Sequence, residues 1–121
     1  MAVKVIDASA LAAIVFAEPE AQDLADRLRG YTLAAPELLP FEVASVCLKK
    51  LRRYPQQRSR LLAAYRLMGR MEIDRTEVDL NEVIPLAEQK RLTVYDAAYL
   101  WLARELDAEI VTLDKKLAEA M

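Results

Sequence analysis

Four acidic side chains carry the chemistry this sequence could perform: Asp7, Glu42, Asp96 and Asp114. Asp7 closes the apolar run Val3-Lys-Val-Ile6, Asp114 follows Glu109-Ile-Val-Thr112, and Asp96 opens the uncharged stretch Ala97 to Ala103. Glu42 falls on one side of a helix with Ser45, Lys49, Arg52 and Arg53 when the segment is laid out at about 100° per residue. If these acids meet, carboxylates ~4 Å apart repel by roughly 4 kcal/mol at an effective dielectric of about 20. Such a cluster is costly unless a cation fills it. Oxygen-only ligation favours hard ions such as Mg²⁺ or Mn²⁺. Mg²⁺ held this way serves phosphate esters as Lewis acid, water activator and clamp on the transferring phosphoryl group. Taken one at a time, each acid has a simpler explanation. Thr93-x-x-Asp96 matches a capping box, Asp114 matches a helix N-cap, and Glu42 alone is an ordinary solvated face.

Composition narrows the alternatives. The chain has no histidine, which excludes Ser-His-Asp and Cys-His hydrolysis, zinc proteases and every histidine-based acid/base scheme. With two glycines, Gly30 and Gly69, neither a phosphate-binding P-loop nor a glycine-rich dinucleotide turn can be built. The single Cys47 sits among apolar neighbours and reads as a small core residue in a reducing compartment. The longest apolar run, Ala8 to Ala17, is half of what a membrane span requires. Asp7 interrupts any signal-peptide core, so the expectation is a cytoplasmic protein without a membrane segment. Between Lys49 and Arg70 lie eight basic residues and no acid, although the net charge is −2. A basic arm beside an acidic centre, with Tyr54 and Tyr65 to stack on bases, and a plainly solvated helical hairpin are equally consistent with that asymmetry.

The elements that must position the acids follow from periodicity and punctuation. Strands are expected at Val3 to Asp7, Tyr31 to Ala34, Met71 to Asp74 and Glu109 to Thr112. Helices are expected from Asp7 to Phe16, Ala21 to Arg29, Leu38 to Arg53, Gln57 to Met68, Asn81 to Lys90 and Asp96 to Leu106, with a last one opened by Asp114. Gly30 is placed to close the second helix. On the third, Leu39, Val43, Ala44, Cys47, Leu48 and Leu51 form the core face. The helix after Asp96 is apolar nearly all round and must be buried or paired, so Tyr99 and Trp101 face either the sheet or a second subunit. Four strands alternating with about seven helices predict one domain over residues 1–121, α/β in class. It is a three-layer α/β/α sandwich on a parallel sheet. Its ligand crevice lies at the carboxyl ends of the strands, where Asp7 and Asp114 stand.

Four motifs in order, Val-Ile-Asp7-Ala-Ser9-Ala-Leu, Pro36-Glu-Leu-Leu-Pro-Phe-Glu42-Val-Ala, Thr93-Val-Tyr-Asp96-Ala-Ala-Tyr-Leu and Thr112-Leu-Asp114-Lys-Lys-Leu117, resemble the PIN-domain nucleases. The likeness is strongest to the VapC-type toxins of toxin-antitoxin pairs, and it covers nearly the whole chain. It implies that Asp7, Glu42, Asp96 and Asp114 form a metal-binding catalytic quartet oriented by the hydroxyls of Ser9 and Thr112. It also implies an Mg²⁺- or Mn²⁺-dependent endoribonuclease, commonly homodimeric, held inactive by a VapB-like antitoxin whose tail lies near the third and fourth helices. Lys49, Arg52, Arg53 and Lys115 are the expected RNA contacts. The chain departs from the family twice. Ser45 stands where many relatives carry Asn, which puts a contact supporting the quartet in question. Met121 follows soon after the last helix, where relatives add a final edge strand, so the sheet has four strands or five.

Two other functions fit parts of this pattern. A PIN-like module could bind RNA or a protein without turnover, although a catalytically dead relative is expected to have lost acids that this chain keeps. Acids at strand ends also build aspartyl-phosphate sites. Those phosphatases, by family resemblance, carry Asp-x-Asp after the first strand, where this chain has Ser9 in the second place.

Overall fold

The protein was analysed as a computed structural model, which describes residues 2–121. In chain order the elements are β1 (Val3–Ile6), α1 (Ala8–Val15), α2 (Ala21–Leu28), β2 (Thr32–Pro36), α3 (Leu39–Arg53) and α4 (Arg58–Met68). There follow β3 (Ile73–Thr76), α5 (Leu80–Lys90), α6 (Val94–Leu106), β4 (Glu109–Val111) and α7 (Lys115–Ala120). A single 3₁₀ turn, Pro55–Gln57, joins α3 to α4.

The strands form one parallel sheet in the order β3-β2-β1-β4, with β1 pairing Val5 with both Ala34 and Ile110. Two successive crossovers step from β1 to β2 to β3 in one direction, and the third jumps back past β1 to β4. Right-handed crossovers then place the helices of the first two connections on one face and those of the third on the other. The contacts agree: α1 packs on α2, α3 and α4, while α6 packs on α5 and α7 and lies along β1, β2 and β4. The reversal of direction between β1 and β4 is a topological switch point, and the crevice beyond its carboxyl ends is where open α/β sheets take ligands.

The expected three-layer sandwich is present, and β1 lies inside its sheet with Val5 and Ile6 fully buried. Four strands are found among the described residues, without a fifth. β3 starts two residues later than expected, because Gly69, Arg70 and Met71 still turn back onto the carbonyls of Arg66, Leu67 and Met68. β2 runs on to Pro36, whose missing amide is tolerated at a strand end. Gly30 follows the last turn of α2 with φ of +83°, the left-handed conformation that a C′ glycine supplies. On α3 the core face is narrower than expected. Leu39, Val43 and Cys47 are buried, but Leu48 is 45 % exposed because α4 covers α3 from the other side.

α6 is the central helix of its layer. Ala97, Ala98, Tyr99, Leu100, Leu102 and Ala103 are all buried, which resolves its all-round apolarity as packing within the chain. Tyr99 is 1 % exposed and so cannot face a second subunit. Trp101 is half-buried, its indole N–H donating to Glu82 Oε1 at 2.9 Å. No helix among the described residues is long and apolar enough to cross a membrane.

Candidate active site

Each acid reaches the crevice by a different route. Asp7 follows β1 directly and is the N-cap of α1, Oδ1 accepting from the Ala10 amide at 3.0 Å. Asp114 follows β4 and caps α7, Oδ1 accepting from the amides of Lys116 and Leu117 at 2.9 and 3.3 Å. Glu42 lies in the first turn of α3, which Pro40 helps to start. Asp96 lies in the first turn of α6, as its third residue rather than at its mouth. The cap itself is Thr93, whose hydroxyl accepts from the Asp96 amide at 3.0 Å. Both helices therefore direct an amino end, with its unsatisfied amides and positive dipole, toward the carboxylates they carry.

The four acids line one cavity of about 330 Å³, together with Ser9, Ser45, Lys49 and Tyr99. The sequence leaves this convergence open, and the switch point supplies it. Asp7 is the deepest, a 4 % exposed carboxylate with three donors. Ser9 Oγ donates to Oδ1 at 2.8 Å and Thr112 Oγ1 donates to Oδ2. Each hydroxyl in turn accepts a backbone amide of the β4–α7 loop, Leu113 N on Ser9 and Asp114 N on Thr112, both at 2.9 Å. The two hydroxyls thus stitch the acid of β1 to the loop that carries Asp114.

Electrostatically the acids of the cavity are only partly compensated. Burial raises the Asp7 carboxyl above its ordinary value, offset by the Thr112, Ala10 and Ser9 hydrogen bonds and reinforced by Asp114. Burial also raises Glu42, against a hydrogen bond from Tyr99 and with added repulsion from Asp96 and Asp7. Asp96 is raised by burial and then by Asp114, with Thr93 and Lys116 pulling the other way. The ion pairs of the described residues all lie elsewhere, at Lys4, Arg27, Arg29 and Lys50. An all-oxygen donor set whose like charges have no ion-pair partner fits a hard divalent cation. Among the described residues no three acids stand at metal-ligand spacing, so the bowl presents at most a pair of direct ligands in this arrangement. That suits Mg²⁺, which keeps several waters and takes one or two carboxylates rather than an all-protein cage.

Of the expected RNA contacts, Lys49 reaches the cavity wall, whereas Arg52, Arg53 and Lys115 are exposed outside its lining. Ser45 is exposed on the cavity wall. The run from Lys49 to Arg70 forms a helical hairpin of α3 and α4 whose cations face solvent, save that Lys50 pairs with Glu18. Tyr65 is not available to a base: it is half-buried, and its hydroxyl donates to the Pro40 carbonyl at 2.9 Å. Tyr54 is 39 % exposed, with the Arg53 guanidinium over its ring. One polar group at the site was read from sequence only as apolar. Tyr99 packs its ring in the core and donates its hydroxyl to Glu42 Oε1 at 2.7 Å. The available signal was its spacing, three residues after Asp96 and so on the same helical face.

Comparison with known proteins gives consistent results. The family model of the PIN domain matches residues 4–120. The chain is 31 % identical over 121 residues to Ribonuclease VapC3 of Pyrobaculum aerophilum, covering 95 % of this chain and 92 % of that protein. The crystal structure of PAE2754, also from Pyrobaculum aerophilum, superposes with a TM-score of 0.80 at 24 % identity, over 99 % of this chain and 85 % of the other. That likeness shows the fold alone.

Proposed function

The chain belongs to the PIN-domain family and is of the VapC type, and on that premise we propose that it is an Mg²⁺- or Mn²⁺-dependent endoribonuclease, the toxin of a toxin-antitoxin pair. The observation that carries the reading is the meeting of Asp7, Glu42, Asp96 and Asp114, from four separate elements, in one cavity with Lys49 on its wall. A pair of these carboxylates would hold the cation directly, with waters completing its shell. Bound there, it supplies Lewis-acid polarisation of a phosphoryl oxygen and lowers the pKa of an attacking water.

The protein's own groups do the positioning. Ser9, Thr112 and the Ala10 amide hold both oxygens of Asp7 and leave it little freedom to rotate. Asp114 spends Oδ1 on capping α7, which leaves Oδ2 for the cavity. Lys49 meets the phosphate backbone as it enters, and Arg52, Arg53 and Lys115 extend that contact along the RNA. Water reaches the site from the open side of the bowl, so no lid is needed for hydrolysis.

Two apolar surfaces support the partners. Phe41, 81 % exposed, and Leu48 make a stripe on α3, and Leu67 is exposed on the adjoining α4, which suits the tail of a VapB-like antitoxin laid across these helices. A groove of about 770 Å³ among Leu38, Val78, Leu80, Val94 and Tyr95 suits a second copy of the chain, making a homodimer.

Purified protein incubated with a mixed structured and single-stranded RNA pool tests the reading. Cleavage is expected with Mn²⁺ or Mg²⁺ and not with chelator, and is expected to vanish in Asp96→Asn. Metal-dependent cleavage that survives in Asp7→Asn, Glu42→Gln and Asp96→Asn alike would overturn it. Metal binding by titration without cleavage of any RNA would favour a binding module instead.

A further inference from the structure

Tyr99 is the one buried polar group at the site to which the reaction above assigns no part. Its ring is 1 % exposed in a helix otherwise packed with Ala and Leu, and its hydroxyl donates to Glu42 Oε1 at 2.7 Å. We propose that Tyr99 is the positioning residue of Glu42, fixing this carboxylate of α3 against α6 so that Oε2 is left for a divalent cation. The inference rests on the metal-dependent reading of the cavity and deepens it.

The acids differ in how they are held. Asp7 has donors on both oxygens, and Asp114 is anchored by two amides of its own helix. Glu42 has a longer side chain with one more torsion, and the Tyr99 hydroxyl is its one hydrogen-bond donor among the described residues. Without that donor it can swing along the open cavity. The bond also spans the two helix layers, from α3 on one face of the sheet to the residue three positions after Asp96 on the other. A Phe would fill the same space with no polar group to satisfy, so core packing alone does not call for the hydroxyl. Losing a partner that orients a ligand in this way typically costs about 10–100-fold in metal affinity or activity.

Mn²⁺ titration without RNA, by calorimetry, separates positioning from mere satisfaction of a buried phenol. The proteins compared are wild type, Tyr99→Phe, Glu42→Gln and the double variant, each checked by thermal melting to be folded. Tyr99→Phe is expected to weaken Mn²⁺ binding by about tenfold or more. Cleavage by this variant should recover at saturating Mn²⁺. In the Glu42→Gln background the same substitution should change Mn²⁺ affinity no further, because its effect passes through Glu42. Unchanged affinity in Tyr99→Phe, or an equal loss in both backgrounds, overturns the assignment of Tyr99 while leaving the metal reading intact. Failure of the wild type to bind Mn²⁺ at all overturns both.

Discussion

Thr112→Val removes one hydroxyl and keeps the shape of the side chain, and the consequences can be worked out bond by bond. The hydroxyl donates to Asp7 Oδ2 and accepts the Asp114 amide at 2.9 Å. A hydrogen bond to an ionised group contributes about 1.5–3 kcal/mol. The stranded Asp114 amide adds less, since Thr112 is only half-buried and water can replace the acceptor. A net loss of about 2 kcal/mol lowers the melting temperature of a domain this size by roughly 5–10 °C. Ser9→Ala should cost less at Asp7, because Oδ1 keeps the Ala10 amide at 3.0 Å while Oδ2 has Thr112 alone. The pH dependence has a definite sign. The hydroxyl favours the ionised Asp7, so removing it raises an already raised carboxyl further. The deficit should therefore be full at neutral pH and shrink as pH falls through the raised value. Calorimetric melts of both variants at several pH values, with cleavage measured beside them, provide the test, and cleavage by Thr112→Val should drop about 10–100-fold. If Thr112→Val melts with the wild type at neutral pH and cleaves RNA equally well, Asp7 is not held as described.

The three raised carboxyls predict an unusual pH response of the metal-free protein. Folded Asp7, Glu42 and Asp96 hold protons more tightly than the unfolded chain, whose values are 3.8 for Asp and 4.5 for Glu. Their contribution to stability is thus fully present below those values and is lost as pH rises through the raised folded ones. Mg²⁺ should raise the melting temperature much more at about pH 8 than at about pH 5, and Asp96→Asn should flatten the metal-free dependence. An Mg²⁺ shift that does not depend on pH would contradict the acid-bowl picture. Lys49→Ala should raise KM for RNA and reduce the salt slope of binding by about one, with Mn²⁺ affinity unchanged. A variant that loses Mn²⁺ instead would place Lys49 among the groups shaping the metal site.

Much of the site was legible because the acids sit at punctuation points. Asp7 and Asp114 end strands and start helices, so identifying the elements places them at the carboxyl edge of the sheet. What the sequence lacks is the strand order. β1 beside β4, rather than at an edge, brings residues 7 and 114 together, and local periodicity carries no information on it. The late start of β3 was hidden because the turn after α4 ends on Met71, an apolar residue that reads as strand. Leu48 illustrates a different limit. Helical phase assigns it to the apolar side of α3, but the width of the buried stripe depends on where α4 crosses, which is a tertiary fact. Tyr99 and Tyr65 were legible as aromatic but not as donors, since the acceptors, Glu42 and the Pro40 carbonyl, lie 57 and 25 residues away.

Whether each acid is a cap or a ligand turns out to be a false choice for two of the four. Asp7 and Asp114 both cap, and both also line the cavity, because a carboxylate has two oxygens and a helix end needs only one. Capping makes these acids useful rather than competing with use. It fixes the side-chain torsion against the backbone, so the second oxygen is aimed before any cation arrives. Asp96 reaches the same end by delegation, with Thr93 taking the cap and the acid set within the first turn of α6. Glu42 makes no cap and has no capping neighbour beside it, and it is the acid whose hold comes from a distant side chain. A helix amino end close to each carboxylate also offsets part of the repulsion that four converging charges create. The fold can therefore keep an acidic bowl assembled without metal, at a stability cost that falls on the pH range where those carboxylates are ionised.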